Sequence, residues 1–190
     1  MERTDTAAET GAERDLGKIA EELRGRLARL FRRSLHVRHV DAGSCNACES
    51  EVKLLTNPYY DVQRLGIFFT SSPRHADLLL VTGPVTRGME AALRRTYEAM
   101  PDPRLVVAVG ACACGGGIFG PSCLARGGLA EVLPVDVYVP GCPPSPLALI
   151  HGLLLALDRA EPRLKRLGLR AFQPETPGEL ATSFGPEVRR

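Results

Sequence analysis

The sequence contains no tryptophan, and aromatic residues make up only 5% of its 190 residues. A strong excess of one charge is also missing, because the formal charge is +2. Nucleic-acid-binding surfaces usually combine a basic excess with aromatic side chains for base stacking, so this composition does not support one. With 44% hydrophobic and 24% charged residues, the chain has enough apolar material for one globular domain.

Long apolar segments are absent as well. No stretch reaches the roughly 18 uncharged apolar residues that a membrane-spanning helix needs. The longest run, residues 146–157, is interrupted by His151 and Gly152. The first 14 residues are polar and acidic and lack the apolar centre of a secretory signal. We therefore expect neither a spanning helix nor a secretion signal.

The first 33 residues are predicted to form a polar tail followed by an amphipathic helix over residues 15–33. Apolar residues recur there at three- and four-residue intervals, whereas five arginines and one lysine occupy the other faces. A basic amphipathic helix can lie on an anionic membrane surface, where it would be a contact to membrane subunits. Packing of the helix on its own domain or on a partner is the alternative, and the sequence leaves both open.

Residues 34–160 alternate between predicted strands and helices. Strands are predicted at 35–40, 66–69, 77–82, 105–109 and 136–139, and helices at 44–55, 87–100 and 145–157. The strands at 77–82 and 105–109 are almost continuous apolar runs, as expected for strands buried on both faces. This pattern predicts an α/β domain with a parallel sheet. The remainder, 161–190, is rich in proline, glycine and charge and is predicted to be a surface or partner-binding strap.

Five of the six cysteines lie in three segments that each follow a predicted strand. These segments are 41–48, 110–117 and 140–144. Parallel sheets bind ligands beyond the carboxyl ends of their strands, so the three segments should converge on one site. Converging thiolates in a reducing compartment bind zinc or an iron–sulfur cluster. Inert buried thiols and a thioredoxin-like use of Cys45 and Cys48 are weaker alternatives, the second because it leaves Cys112 and Cys142 unexplained.

The amino-acid sequence around these cysteines resembles that of one protein family. The sequence is similar to the 20 kDa subunit of NADH-quinone oxidoreductase (complex I). Within that family it is most similar to the small subunits of energy-converting, membrane-bound [NiFe]-hydrogenases of the formate hydrogenlyase type. The matching stretches are DAGSCNACESE (41–51), residues 57–86, VVAVGACACGGGIFG (106–120) and LPVDVYVPGCPPSP (133–146).

This resemblance implies a flavodoxin-like, doubly wound parallel sheet and one [4Fe–4S] cluster. Carried over residue by residue, the cluster ligands would be Cys45, Cys48, Cys112 and Cys142. Cys112 is chosen over Cys114 because it stands in the Gly-x-Cys position directly after the strand, whereas the family usually has no cysteine at the position of Cys114. Cys123 matches no ligand position and is expected to be a buried thiol.

The resemblance also implies roles outside the cluster ligands. Glu51 matches an acidic family position and is a candidate for proton movement, although a carboxylate near a helix N-terminus is also favoured by the helix dipole. Arg74 and His75 are candidates for charges near the cluster, or else a solvated pair in a loop. The implied partners are a catalytic large subunit, other iron–sulfur subunits and membrane subunits, on the cytoplasmic side of the cell membrane.

The spacing in the first motif separates two branches of the family. Two residues lie between Cys45 and Cys48, as in the hydrogenases, whereas the complex I subunit carries adjacent cysteines. His75 and the pair Ile118-Phe119 also match the hydrogenase branch. The sequence therefore favours an electron-transfer subunit of a hydrogenase-like complex. The 20 kDa subunit of complex I, passing electrons to quinone, is the first alternative, and a non-catalytic assembly protein that holds a cluster or zinc is the second.

Overall fold

The structure is a computed structural model that describes residues 17–18, 21–22, 25–27 and 34–166. Residues 34–166 form five strands and four α-helices. The strands are β1 (Leu35–Asp41), β2 (Ile67–Phe69), β3 (Leu78–Thr82), β4 (Leu105–Val109) and β5 (Val137–Val139). The helices are α1 (Ala47–Leu54), α2 (Arg87–Glu98), α3 (Gly110–Gly115) and α4 (Pro146–Arg166).

The strands form one sheet in the order β2-β1-β3-β4-β5, and every neighbouring pair is parallel. This is the flavodoxin-like order, so the predicted doubly wound fold is confirmed. The order reverses between β1 and β3, and such a switch point opens a crevice at the carboxyl ends of the strands. The segments that carry the cysteines leave the sheet at this edge.

Apolar layers cover both faces of the sheet. Every residue of β3 and β4 is buried. Leu78 and Leu80 point into one layer, together with residues of α1 and α4, whereas Leu79 and Val81 point into the other, where Leu93 of α2 packs. Because alternate side chains of a strand face opposite sides, coverage of both faces requires the continuous apolar runs seen in the sequence.

Two helices differ from their predicted bounds. Residues 110–115, predicted as part of a loop, form α3, whose six residues are too few to display a helical period in the sequence. Helix α4 was predicted to end at residue 157 but continues to Arg166. Its apolar face continues as well, because Ala160 is fully buried. The predicted N-cap is present, since the Ser145 hydroxyl accepts a hydrogen bond from the Ala148 N–H at 3.3 Å.

The described residues between 17 and 27 are helical, in agreement with the start of the predicted N-terminal helix. Leu27 is buried in the core, and Arg26 pairs with Glu22 and with Asp158 of α4. This end of the helix therefore packs on its own domain. The rest of the predicted helix, the tail before it and residues 167–190 of the strap lie outside the described residues. Among the residues that the structure describes, no helix is long and apolar enough to cross a membrane.

Gly152 of α4 makes a close contact that allows a sharp test of the packing between α4 and β5. A Cβ atom at Gly152 would lie 2.3 Å from Cγ2 of the buried Val139, whereas one at the exposed Gly88 of α2 would meet nothing within 4 Å. We expect Gly152→Ala to lower the free energy of unfolding by about 1–3 kcal/mol through overpacking. Gly88→Ala should raise it by roughly 0.5–1 kcal/mol because alanine favours helix. Chemical denaturation measures both, and equal effects would contradict the packing described.

Candidate metal centre

The loop between β1 and α1 presents the first two cysteines. The Asp41 carboxylate accepts hydrogen bonds from the N–H groups of Gly43 at 2.8 Å and Ser44 at 2.7 Å. Burial raises the pKa of Asp41, but these hydrogen bonds outweigh it and leave the pKa below its usual value. Asn46, in the left-handed conformation, then starts α1. As a result, Cys45 is exposed in the loop and Cys48 is half-buried in the first turn of the helix.

Gly110 joins β4 to α3 and brings the second cysteine segment against the first. Its φ of +86° makes the sharp turn from strand to helix. A Cβ atom at Gly110 would lie only 2.6 Å from the Cys48 Sγ, so the cysteine sulfur rests against bare backbone. Gly117, which follows α3, has the same relation to Cys112, whose Sγ would lie 2.9 Å from a Cβ at Gly117.

The third segment follows β5 and is tied to the second by backbone. The Ala111 N–H donates to the Gly141 carbonyl at 2.7 Å. Gly141 has a φ of +143°, and a Cβ there would collide with Pro144 at 2.5 Å. Glycine is therefore required at the residue before Cys142, which is exposed.

Four of the six thiols act on one another electrostatically. Burial raises the pKa of Cys48 to about 11, with further contributions from Glu49 and from the thiols of Cys112, Cys45 and Cys142. Burial also raises the pKa of Cys112, assisted by Cys142 and Cys45. The three cysteine segments, distant in sequence, thus lie at one place.

The other two cysteines, Cys114 and Cys123, are not among the thiols that raise the pKa of Cys48 or Cys112. Cys114 packs against the apolar layer on the opposite face of the sheet from Cys48, and its Sγ is 3.7 Å from the Ala108 carbonyl oxygen. Burial raises its pKa, too. Cys123 is exposed, so the prediction that it is a buried thiol is wrong. The sequence placed it after a glycine-rich stretch without showing that this stretch lies on the surface.

The four thiols suit a cluster or a soft metal ion. Thiolates are the ligands that iron–sulfur clusters and zinc prefer, and the glycines beside Cys48 and Cys112 leave room next to the sulfurs. Within residues 34–166 and the described residues before them, no three His, Cys, Asp or Glu side chains are close enough to hold one metal ion. A cubane cluster does not require that proximity, because each of its four thiolates binds a different iron atom.

A buried polar group beside Cys48 escaped the sequence analysis. Glu49 is only 6% exposed, and its Oε1 accepts a hydrogen bond from the Thr82 hydroxyl. His39 Nε2 is 3.0 Å from Thr82 Oγ1 and 3.8 Å from Glu49 Oε1. Burial lowers the pKa of His39 against the attraction of Glu49, so its imidazole is neutral at pH 7. His39 and Thr82 lie on paired strands, a relation that only the register of the sheet reveals.

The remaining predicted site residues are on or near the surface. Arg74 and His75 are exposed in a 3₁₀ turn, Pro73–His75, that follows β2. Glu51 is partly exposed on α1. Their predicted roles stay predictions.

A doubly wound sheet that gathers cysteine segments at one edge defines an α/β protein with a cysteine site at its switch-point end. Comparisons with known proteins identify the family of the chain. The profile of the "NADH ubiquinone oxidoreductase, 20 Kd subunit" family matches residues 45–156, and the chain belongs to this family.

Several curated relatives are subunits of oxidoreductase complexes. The probable membrane-bound hydrogenase subunit mbhJ of Pyrococcus furiosus is 45% identical over 78% of this chain and 89% of its own length. Formate hydrogenlyase subunit 7 of Escherichia coli is 41% identical over 83% of this chain and 59% of its own length. An NADH-quinone oxidoreductase subunit of Citrifermentans bemidjiense is 46% identical, over 59% of this chain and 65% of its own length.

Solved structures show the same fold. A chain of the archaeal membrane-bound sulfane sulfur reductase, a respiratory membrane complex, superposes with a TM-score of 0.60 at 36% identity, covering 75% of this chain and 79% of that one. A chain of the [NiFeSe] hydrogenase from Desulfovibrio vulgaris Hildenborough superposes with a TM-score of 0.52 at 21% identity, covering 75% and 64%. The second likeness concerns the fold alone.

The contact between Gly110 and Cys48 can be tested by adding one methyl group. Gly110→Ala should displace the Cys48 sulfur, because the added Cβ would lie 2.6 Å from it, and we expect it to reduce any iron that the purified protein binds. Gly120→Ala is the matched control, since Gly120 also has a positive φ, +52°, but its Cβ would meet nothing within 4 Å. Both variants carry a backbone cost of about 1–2 kcal/mol. Iron analysis and denaturation distinguish them, and equal iron content would contradict the importance of the contact.

Proposed function

We propose that this chain is the electron-transfer small subunit of a membrane-associated, [NiFe]-hydrogenase-like oxidoreductase complex and carries one [4Fe–4S] cluster. The observation that supports this most directly is the convergence of Cys45, Cys48, Cys112 and Cys142 at one edge of the sheet. The cluster would supply one-electron transfer to or from an active site on the large subunit.

The chain's own residues would hold the cluster and shield it. Four thiols must lose their protons when iron binds, and the raised pKa of Cys48 means that its proton is present until then. Half-burial of Cys48 and Cys112 keeps water from part of the site. Bare glycine backbone lies against their sulfurs, and hydrogen bonds from backbone N–H groups to a bound cluster would tune its potential.

The hydrogenase branch has more support than the complex I branch. Cys45 and Cys48 are separated by two residues, the spacing that the hydrogenase branch shares. The similarity to the Pyrococcus furiosus hydrogenase subunit also extends over more of this chain than the similarity to the Citrifermentans bemidjiense protein, 78% against 59%. A quinone-reducing complex remains the second candidate because the identities, 45% and 46%, are alike.

An exposed apolar segment supports a large subunit as the partner. Ile118, Phe119 and Leu124 are 93%, 55% and 75% exposed, and the segment begins next to Gly117, which contacts Cys112. Exposed apolar clusters of this kind mark protein interfaces. We place the catalytic large subunit over this segment and the cysteine site, with further iron–sulfur and membrane subunits beyond it. The complex would lie at the cytoplasmic side of the cell membrane.

Serine substitutions test the cluster assignment. Cys45→Ser, Cys48→Ser, Cys112→Ser and Cys142→Ser should each lower the iron content of the complex and its reduced-cluster signal in electron paramagnetic resonance. Cys114→Ser and Cys123→Ser should leave both intact, because Cys114 packs against the apolar layer on the opposite face of the sheet and Cys123 matches no ligand position of the family. Loss of iron in Cys114→Ser but not in Cys112→Ser would reverse the assignment.

The purified complex also distinguishes electron transfer from the alternative functions, which are an assembly protein, a zinc-binding module and a quinone-reducing subunit. A signal that appears and disappears reversibly in a potential titration supports electron transfer, whereas a cluster without a reversible couple would indicate the assembly protein. Stoichiometric zinc without iron would indicate a zinc-binding module. Nickel in the co-purified large subunit would support a hydrogenase, and its absence would favour the quinone-reducing alternative.

The partner surface can be tested apart from the cluster. Ile118→Asp should weaken retention of the large subunit at least about tenfold, because a charge would be buried in an apolar contact. Leu155→Asp is the control, since Leu155 is 55% exposed on α4. Co-purification at matched expression measures the difference. Equal retention of the two variants would move the interface away from residues 118–124.

A further inference from the structure

A cavity separate from the cysteine site opens between α1 and the carboxyl ends of β1 and β2. Its volume is about 400 Å³. Most of the polar groups that line it are cationic or carry hydroxyls, and no acidic side chain is among the described residues that form its wall. These polar groups belong to Arg38, His39, Lys53, Thr56, Thr70 and Ser71.

Arg38 gives the cavity an unsatisfied hydrogen-bond donor. Its Nε atom is buried and has no hydrogen-bond partner among the described residues, whereas the side chain as a whole is only partly buried. A buried donor without a partner costs free energy, and more so when it belongs to a charged group. The burial of this Nε atom is therefore better explained if an acceptor arrives from beyond the described residues.

Lys53 adds a second cation to the same space. It lies in the last turn of α1, where the helix dipole favours a positive charge. The dipole accounts for a lysine at this position, but it supplies no partner to Arg38. His39 contributes little charge because burial lowers its pKa. Together, Arg38 and Lys53 make the cavity a site for an anion.

The position of the cavity indicates where the anion comes from. It opens at the carboxyl ends of β1 and β2, and the cysteine segments leave the sheet at the same edge. Helix α1 connects the two, with Cys48 in its first turn and Lys53 in its last. A subunit that covers the cysteine site can therefore reach the cavity as well.

We infer that the cavity receives an aspartate or glutamate side chain from the subunit that covers the cysteine site. The carboxylate would accept hydrogen bonds from Arg38 Nε and from the Lys53 ammonium, and its chain would fill the remaining space between α1 and Thr70. A free inorganic anion would satisfy the same charges, but it is far smaller than about 400 Å³. A larger occupant that carries the acid fits the volume better. This inference rests on the proposed function.

A zero-length cross-link tests the inference in the purified complex. Carbodiimide joins a lysine amine to a carboxylate that is already in contact with it. The chain has three lysines, at 18, 53 and 165. Mass spectrometry should find Lys53 joined to an acidic residue of the partner, and Lys53→Arg should abolish that product while it keeps the charge. If the complex is isolated and Lys53 forms no such product, the inference is overturned, whereas failure to isolate any complex contradicts the proposed function instead.

A second measurement addresses Arg38. Arg38→Gln should weaken binding of the partner about tenfold or more, since a charged donor to the partner's carboxylate is removed. Arg95→Gln is the matched control, because Arg95 is an arginine of α2 with the same change of charge and lies away from the cavity. Equal affinities would overturn the inference. A different result would also overturn it. If Lys53 forms no cross-link and inorganic phosphate raises the melting temperature of the complex only when Arg38 is present, the occupant is a free anion.

Discussion

The contact between the Cys48 sulfur and the backbone of Gly110 constrains the whole edge of the sheet. Cys48 belongs to the helix after β1 and Gly110 to the turn after β4, and β3 lies between those strands. The two can touch only because all strands run parallel and end at one edge. The hydrogen bond from Ala111 to Gly141 then brings in the segment after β5. Two backbone contacts thus join three segments that are far apart in the sequence.

Without metal, the thiols of Cys48 and Cys112 keep their protons at neutral pH, because burial raises the pKa of both. Burial disfavours thiolates, as the pKa of about 11 for Cys48 shows. In the proposed complex, binding of a cluster would supply the opposing charge and release protons, so cluster affinity should rise with pH as the thiols become easier to ionise. The buried Glu49 next to Cys48 also raises the pKa of Cys48. The site is therefore poised for a positively charged cofactor core and unfavourable for free thiolates.

Secondary structure could be predicted from the sequence wherever a local pattern within one segment determined it. The apolar runs of β3 and β4 predicted buried strands because two covered faces demand them, and Ser145 predicted the start of α4 through its hydroxyl. Helix α3 was not predicted, since a short segment made largely of glycine and cysteine shows no period. The exposure of Cys123, the partners of Glu49 and the unsatisfied Arg38 were also beyond reach. Each depends on which distant residues the fold brings together.

Helix α1 links the features on which the proposals rest. It has eight residues, a length of about 12 Å, and its two ends face different sites. Cys48 at its start lies in the cysteine site, and Lys53 near its end lines the cavity beside Arg38. His39 touches both regions, because it lines the cavity and approaches Glu49 beside Cys48. A partner bound in the cavity and over residues 118–124 would therefore hold the cysteine site from two sides, which would exclude water from a cluster and hold α1 in one position.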